Sequence, residues 1–220
     1  MLPAHDEESL IAAALRALAV AAERVAVPVH VVVVLDTCRD RTAEFVAGAD
    51  ASGLVSLEST VVDATRVGEA RRAGVERLLH ALPVAGTWLA TTDADSTVPA
   101  GWFERQLAHA AGGAAAIAGT VAVSDWSGLP ATVERAYRER YLAMDGHRHV
   151  HGANLSFTAG AYRAVGGFRP SETDEDVELV DAFIAGGFRV LWAADLAVTT
   201  SARLRGRAMR GFADHLAALA

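Results

Sequence analysis

His30-Val31-Val32-Val33-Val34-Leu35-Asp36 is a β-branched apolar run of strand length that stops at a carboxylate. It does not alternate with polar residues, so it is expected to be buried on both faces, as strands of a mostly parallel sheet are. Trp88 to Thr92 repeats the pattern and runs into Asp93-Ala94-Asp95. Outward from these two strands, Leu10, Ile11, Ala14, Leu15 and Leu18 fall at helical spacing behind Asp6, which can cap the helix, while Glu7 and Glu8 suit its positive end. Val55 to Val62 reads as a weaker strand and Gly68 to Leu82 as a helix that Pro83 helps to end. Pro99 to Ala111 reads as a helix and Ala114 to Val123 as a small-residue strand. This alternation predicts an α/β fold with an open, mainly parallel sheet flanked by helices. Ligands of such sheets sit beyond the carboxyl ends of the strands, where Asp36, Asp93 and Asp95 stand.

The second half continues with a polar helix from Thr132 to Met144, a His-rich loop and a short strand at Asn154 to Phe157. The Gly166-Gly167 turn, an acidic cluster from Glu172 to Asp176, a helix to Ala185, a strand at Val190 to Ala193 and a basic tail from Arg203 to Arg210 follow. No repeat or composition break marks a boundary, so a single domain over residues 1–220 is expected.

With 220 residues, 52% of them hydrophobic, the chain can bury one sizeable core. A formal charge of -7 speaks against a polyanionic partner such as nucleic acid. Every basic residue is Arg, which excludes a Walker-type phosphate loop, a Schiff-base enzyme and a Lys general base. The single Cys38 forms no internal disulfide, no apolar stretch is long enough to span a bilayer, and the acidic start lacks a signal-peptide pattern. A cytoplasmic protein is the expectation.

Asp93-Ala94-Asp95 carries the chemical signal. Two carboxylates one residue apart at a strand end point the same way and can share a divalent ion with a diphosphate. Alone, the pattern also fits a solvated turn. Its company gives it weight: Asp36 at another strand end, Gly68 with Arg71 and Arg72 at a helix start, and Glu175-Asp176 before another helix.

Taken in order, these segments resemble the family 2 inverting glycosyltransferases of the GT-A fold, which use nucleotide-diphospho-sugars. Pro3-Ala4-His5-Asp6-Glu7-Glu8 is similar to the family's Pro-Ala-His-Asn-Glu-Glu, and Val34 to Thr42 to its Val-Asp-Asp-Gly-Ser-Thr-Asp-Gly-Thr element, with Leu35 replacing the first acid. Gly68 to Gly74 resembles Gly-x-Ala-x-Ala-Arg-Asn, and Asp93-Ala94-Asp95 the metal motif. Gly152-Ala153-Asn154 to Phe168 resembles the acceptor-side signature, and Thr173 to Leu179 the Glu-Asp-x-x-Leu catalytic element.

The resemblance implies a GT-A-like domain whose residues 1–122 bind the nucleotide sugar and whose residues 123–220 bind the acceptor and supply the base. It implies that Asp36 accepts a hydrogen bond from the nucleobase, the alternative being a turn or N-cap Asp. Pro3, Ala4 and Glu7 would line the nucleoside pocket, unless Glu7 only favours its helix end. Gly68 would allow close approach of the nucleotide, and Arg71 would contact base or phosphates or merely be solvated. Asp93 would bind ribose or ion, with Ala94 beside it, and Asp95 the ion itself, Mg²⁺ or Mn²⁺. Asp176 is the implied general base, with Glu175 and Asp174 as alternatives, and an acidic helix start as the plain reading. His147, His149 and His151 alternate as metal ligands sometimes do, yet no spaced acid or Cys partner accompanies them. The segment fits better as an acceptor loop in which His151, Gly152 and Asn154 face the substrate. Arg203 and Arg207, with Arg205 and Arg210, would clamp the diphosphate or form a basic surface helix near anionic lipid.

Two departures stand out. Only Met1-Leu2 precedes the Pro-Ala segment, so an inner strand is expected to be truncated and its neighbours unpaired. Thr199-Thr200-Ser201 stands where some relatives place a metal-binding His. The expected partners are a nucleotide-sugar donor, UDP favoured over GDP, and a hydroxyl acceptor of unknown identity. Competing readings are a sugar-1-phosphate nucleotidylyltransferase, whose Gly-rich loop after the first strand is missing here, and a non-catalytic nucleotide-sugar-binding module.

Overall fold

The computed structural model describes residues 1–51, 56–64, 66–123, 125–127, 129–141, 143–170 and 174–201. The chain starts in β1 (Leu2–Ala4), passes through α1 (Ile11–Ala22), and enters the β-branched run as β2 (His30–Asp36). Then come α2 (Thr42–Ala51), β3 (Ser56–Val62), α3 (Val67–Ala81), β4 (Trp88–Thr91), β5 (Ser96–Thr97) and α4 (Trp102–Ala111). The second half comprises β6 (Ala116–Val123), α5 (Ala131–Arg140), a 3-10 turn at Gly152–Asn154, β7 (Leu155–Thr158), α6 (Ala159–Ala164), α7 (Glu175–Ala185) and β8 (Val190–Thr200).

One sheet is wholly parallel in the order β1-β2-β3, and the other is mixed in the order β4-β7-β6-β8-β5. Met1 stitches them together: its amino group donates to the Ala90 carbonyl at 2.8 Å, and its own carbonyl accepts from the Thr92 N–H at 3.3 Å. The expected gap in the sheet is therefore corrected. A short inner strand is present, pairing Leu2, Pro3 and Ala4 with Val33, Val34 and Leu35 on one side while Met1 meets β4 on the other. Its three residues pair with the carboxyl-end half of β2.

β2 is buried on both faces, as its unbroken apolar run requires. Val31, Val33 and Leu35 pack with Ile11, Leu15 and Trp102 under α1 and α4, while Val32 and Val34 pack with Val75, Leu78 and Met1 under α3. Each such Val contributes about 2 kcal/mol by leaving water. The second layer continues with Phe157, Phe168, Leu179 and Phe183 beneath α6 and α7. The strands are thus covered on one face by α1 and α4 and on the other by α3, α6 and α7.

Local signals behaved unevenly. Asp6 does not cap α1; it adopts a positive φ of 52° and its Oδ1 accepts the Arg39 and Asp40 N–H groups at 2.6 and 3.2 Å. Leu10 takes the N-cap position of α1 instead, and Leu10 N–H and Ile11 N–H both bond the Glu7 carbonyl. Helix α5 stops at Arg140, four residues before Met144, because Tyr141 turns to an extended conformation. β8 runs well beyond Ala193, to Thr200. No described helix is long and apolar enough to cross a membrane.

Candidate active site

Two strands run into acids where the chain leaves the core: β2 ends at Asp36, and β4 is followed by Asp93 and Asp95. Asp36 closes β2, where its Oδ1 accepts the Ala64 N–H at 3.0 Å and the Thr37 hydroxyl at 3.4 Å. Thr37 holds a positive φ of 45°, a costly conformation for a β-branched residue, and its N–H is fixed to the Val62 carbonyl. His5 Nδ1 donates to the Asp36 carbonyl at 2.7 Å, which brings the Pro-Ala-His segment onto the same strand end. Pro3 and Ala4 lie in β1 beside Val34 and Leu35. Glu7 is buried; its N–H donates to Thr42 Oγ1 at 2.7 Å.

Asp93 and Asp95 follow β4, one strand beyond β1. Both are half-buried, whereas Ala94 between them points into the core. Asp95 Oδ1 accepts from Ser96 Oγ at 3.2 Å. Asp93 is held in turn by Arg71, which connects this end of the sheet to the next.

The Arg71 side chain is 5% exposed and serves three acceptors at once. NH2 donates to Asp93 Oδ1 at 2.7 Å, Nε to Glu175 Oε1 at 3.0 Å, and NH1 to the Gly152 carbonyl at 3.0 Å. Burial works against the charge on Arg71, but Asp93, Glu175 and Asp176 outweigh it and hold the guanidinium protonated well above its ordinary range. A planar fork is suited to this triple task in a way that a point charge is not. Arg71 is therefore not merely solvated. It is the internal clamp of the site.

Gly68, one turn earlier on α3, allows close approach of the chain to itself: a Cβ there would sit 3.0 Å from Glu175 Cβ and 3.3 Å from the Arg169 carbonyl. Its bareness lets α3 and α7 meet. Asp174 precedes α7 with a positive φ of 63°, and its carbonyl accepts the Glu178 N–H. Glu175 is buried against Arg71. Asp176 turns the other way: its Oδ2 accepts the Gly152 N–H at 2.6 Å and its Oδ1 the Val177 N–H at 2.8 Å. Burial, reinforced by the neighbouring Glu175 charge, pushes the Asp176 carboxyl up to about 6, although Arg71 and the two N–H groups pull the other way.

Gly152 is thus shared by both sides. Its carbonyl also accepts from Thr91 Oγ1 at 2.6 Å, and a Cβ on it would collide with the Arg71 guanidinium at 2.5 Å. Asn154 is fully committed inside the protein: its Oδ1 accepts from Trp102 Nε1 at 2.9 Å, and its Nδ2 donates to the Thr120 and Leu196 carbonyls at 2.7 and 2.9 Å. Its side chain is 1% exposed, so it fastens the loop rather than facing a substrate. His151 Nε2 lies 3.0 Å from the Tyr141 hydroxyl. The alternating histidines do stack, with centroids 5.6 Å apart for His147 and His149 and 6.2 Å for His149 and His151. Burial lowers the His147 pKa.

Among the described residues, no three His, Cys, Asp or Glu side chains gather into a metal-holding group. The half-exposed carboxylates of Asp93 and Asp95 are hard oxygen donors at one strand end, which fits a small divalent cation that takes one or two carboxylates and completes its shell with phosphate oxygens and water. Thr200, in the Thr199-Thr200-Ser201 stretch, is buried with its Oγ1 bonded to Ser96. Arg203 and Arg207 of the basic tail, and Glu172 and Thr173 of the acidic cluster, lie outside the described residues. A surface hollow lined by Glu76, His80, Tyr162 and Arg163 shares no residue with the acid cluster.

Sequence reasoning brought together Asp93, Arg71, Gly152, Glu175 and Asp176, which do meet, but it missed Thr91 and Tyr141. The signal for Thr91 is its place at the end of an apolar strand, facing opposite to Thr92.

A sheet with acids at its carboxyl ends, a split into a parallel and a mixed half, and a buried clamp between them is the organisation of a single GT-A-like α/β domain. The family model for glycosyltransferase-like family 2 matches residues 1–212, and the chain belongs to that family. Among solved structures, TarS 1–349 from S. aureus in complex with UDP-GlcNAc superposes with a TM-score of 0.68 at 14% identity, covering 94% of this chain and 58% of that one. The mannosyltransferase PcManGT from Pyrobaculum calidifontis in complex with GDP-Man and Mn²⁺ gives 0.65 at 19% identity, covering 93% and 56%. GalNAc-T7 with UDP, GalNAc and Mn²⁺ gives 0.56 at 14% identity, covering 78% and 37%. These likenesses extend to the fold, and the chain spans somewhat over half the length of the first two proteins. A comparison with curated proteins returned no match.

Proposed function

We propose that the protein is a metal-dependent inverting glycosyltransferase that moves a sugar from a nucleotide-diphosphate donor, a UDP-sugar in preference to a GDP-sugar, to an acceptor hydroxyl. The observation that supports this reading is the Arg71 clamp, which bonds Asp93 after β4 and Glu175 at the start of α7, the residue next to Asp176. The donor-binding half would be residues 1–122 and the acceptor and base half residues 123–220, with Asp36 reading the nucleobase. Asp93 and Asp95 would hold Mg²⁺ or Mn²⁺, which when bound neutralises the diphosphate and the charge that builds on the leaving group.

Asp176 suits the role of base. At neutral pH it is ionised yet only about one pH unit from its midpoint, close to the best compromise between being deprotonated and being basic. Its carboxylate would take the proton of the acceptor hydroxyl as that oxygen attacks the anomeric carbon and the nucleoside diphosphate departs from the opposite face. His151 and Asp174 would border the acceptor. The single Cys38 requires no oxidising compartment, and the cytoplasmic expectation is kept as part of this reading, with contact to anionic lipid through the Arg-rich tail as an adjunct.

The test is a panel of UDP- and GDP-sugars assayed for donor hydrolysis and transfer with Mn²⁺, Mg²⁺ or EDTA. Metal-dependent release of one nucleoside diphosphate by the wild type, lost in Asp95→Ala, is expected. Release of pyrophosphate instead would favour the nucleotidylyltransferase reading, and nucleotide binding with no turnover the non-catalytic module.

A further inference from the structure

We propose that Tyr141 and His151 are positioning residues that fix the Asp176 carboxylate through the peptide joining His151 to Gly152. This rests on the reading of Asp176 as the base, and it assigns His151 a role different from acceptor contact.

The chain of contacts is continuous. The Tyr141 hydroxyl accepts the Val121 N–H at 2.8 Å, so its own proton is directed to the remaining neighbour, His151 Nε2 at 3.0 Å. This makes Nε2 the acceptor nitrogen of His151. Tyr141 is itself held from both sides, stacked on Tyr137 at 4.9 Å and on His149 at 4.2 Å, while the Tyr137 hydroxyl donates to the Val121 carbonyl at 3.1 Å. The end of β6 and the segment after α5 therefore form one rigid mount for the His151 ring.

The next peptide carries that rigidity to the site. The His151 carbonyl accepts the Asn154 N–H at 2.9 Å, and the N–H of the same peptide plane, that of Gly152, donates to Asp176 Oδ2 at 2.6 Å. Beyond it the Gly152 carbonyl is pinned by Arg71 and Thr91. A peptide is planar, so fixing its carbonyl on one side fixes its N–H on the other. The base is thereby aimed by a backbone donor whose orientation is set through the Tyr141 and His151 side chains, and a donor to the charged carboxylate also keeps its pKa lower than burial alone would.

The experiment compares wild type, His151→Phe, which keeps an aromatic ring in the stack but has no acceptor nitrogen, and His151→Gln, whose amide oxygen can again accept from Tyr141. Folding of each is checked by circular dichroism and melting. NMR then follows the Asp176 carboxyl titration and the Gly152 amide shift with pH, which needs no activity. The wild-type Gly152 amide is expected to track Asp176. In His151→Phe the Asp176 midpoint is expected to rise by roughly 0.5–1 pH unit, with kcat down about tenfold and donor KM within about twofold, since the N–H that favours the charged form is no longer aimed. His151→Gln is expected to restore most of both. A folded His151→Phe with an unmoved Asp176 midpoint would overturn the proposal, as would a wild-type Gly152 amide indifferent to Asp176. If the NMR behaviour is as expected but no donor is turned over by the wild type, the positioning stands and the transferase reading fails.

Discussion

Arg71 reaches from α3 to Asp93 at the end of β4 with a contact of 2.7 Å, and that single ion pair ties the strand that ends in the two carboxylates to the helix layer below. The same guanidinium bonds Glu175 at 3.0 Å, so two acids 82 residues apart depend on one cation.

Removing that cation leaves Asp93 and Glu175 facing each other without compensation. Arg71→Ala is expected to cost about 3–5 kcal/mol in urea unfolding, the usual penalty for breaking a buried ion pair by one partner. Arg71→Lys is expected to recover only part of it, because one ammonium cannot reproduce the fork that serves Asp93, Glu175 and Gly152 together.

Asp176 sets a pH signature with a definite sign. Its carboxyl, raised from 3.8 to about 6, loses its basic form as pH falls, so the kcat profile is expected to drop on the acid side with a midpoint near 6. Asp176→Asn is expected to lower kcat by about 10²–10⁴-fold while leaving nucleotide affinity nearly unchanged in calorimetry. For stability the direction is opposite to that of an ordinary paired carboxylate. A raised pKa means that the folded state binds the proton more tightly, so this group's contribution is present below about 4 and is lost as pH rises to about 6. The difference in unfolding free energy between wild type and Asp176→Asn, measured from pH 4 to 7, should carry that slope.

Nucleotide and metal are expected to act together. UDP or GDP should raise the melting temperature in Mn²⁺ far more than in EDTA, since a ligand that binds only the folded state stabilises it by RT ln(1 + [L]/Kd) and so more when it binds more tightly. Asp95→Ala should abolish the metal-dependent part of that shift. An equal shift with and without metal would argue against the two carboxylates as ligands.

Asn154 separates a structural from a substrate-binding role. Asn154→Ala leaves the Trp102 indole N–H and the carbonyls of Thr120 and Leu196 without their shared partner, with an expected loss of about 3 kcal/mol in stability. Were it chiefly an acceptor contact, the melting temperature would hold and only the acceptor KM would rise.

How legible this was in the sequence varied with the range of the forces involved. β2 was plain because four consecutive Val residues fit only a strand covered on both sides. Helix α2 was not read, since Val46 is its one fully buried large side chain while Phe45 is exposed and Gly48 interrupts it, leaving little periodicity to see. Helix α6 is six residues long and starts on a Thr158 side-chain cap, too brief for a pattern to build up. The strand at Val190 was read short because Ala194 and the exposed Asp195 break its apolar run near the register shift opposite Gly119 and Val121.

The acids of the site were visible as strand terminators, a local property. What each side chain of the clamp does was not. An Arg on a polar helix face looks solvated unless its partners are known, and those of Arg71 lie 22, 81 and 104 residues away. Gly68 likewise announced a need for close approach without saying to what.

The absence of a side chain at Gly152 has a practical consequence for engineering. Because the guanidinium passes where a Cβ would stand, an acceptor segment transplanted from a relative can be accommodated only if it brings a glycine to that position and an acid to that of Glu175. Two residues thus define the grafting rule for chimeras with a new second half.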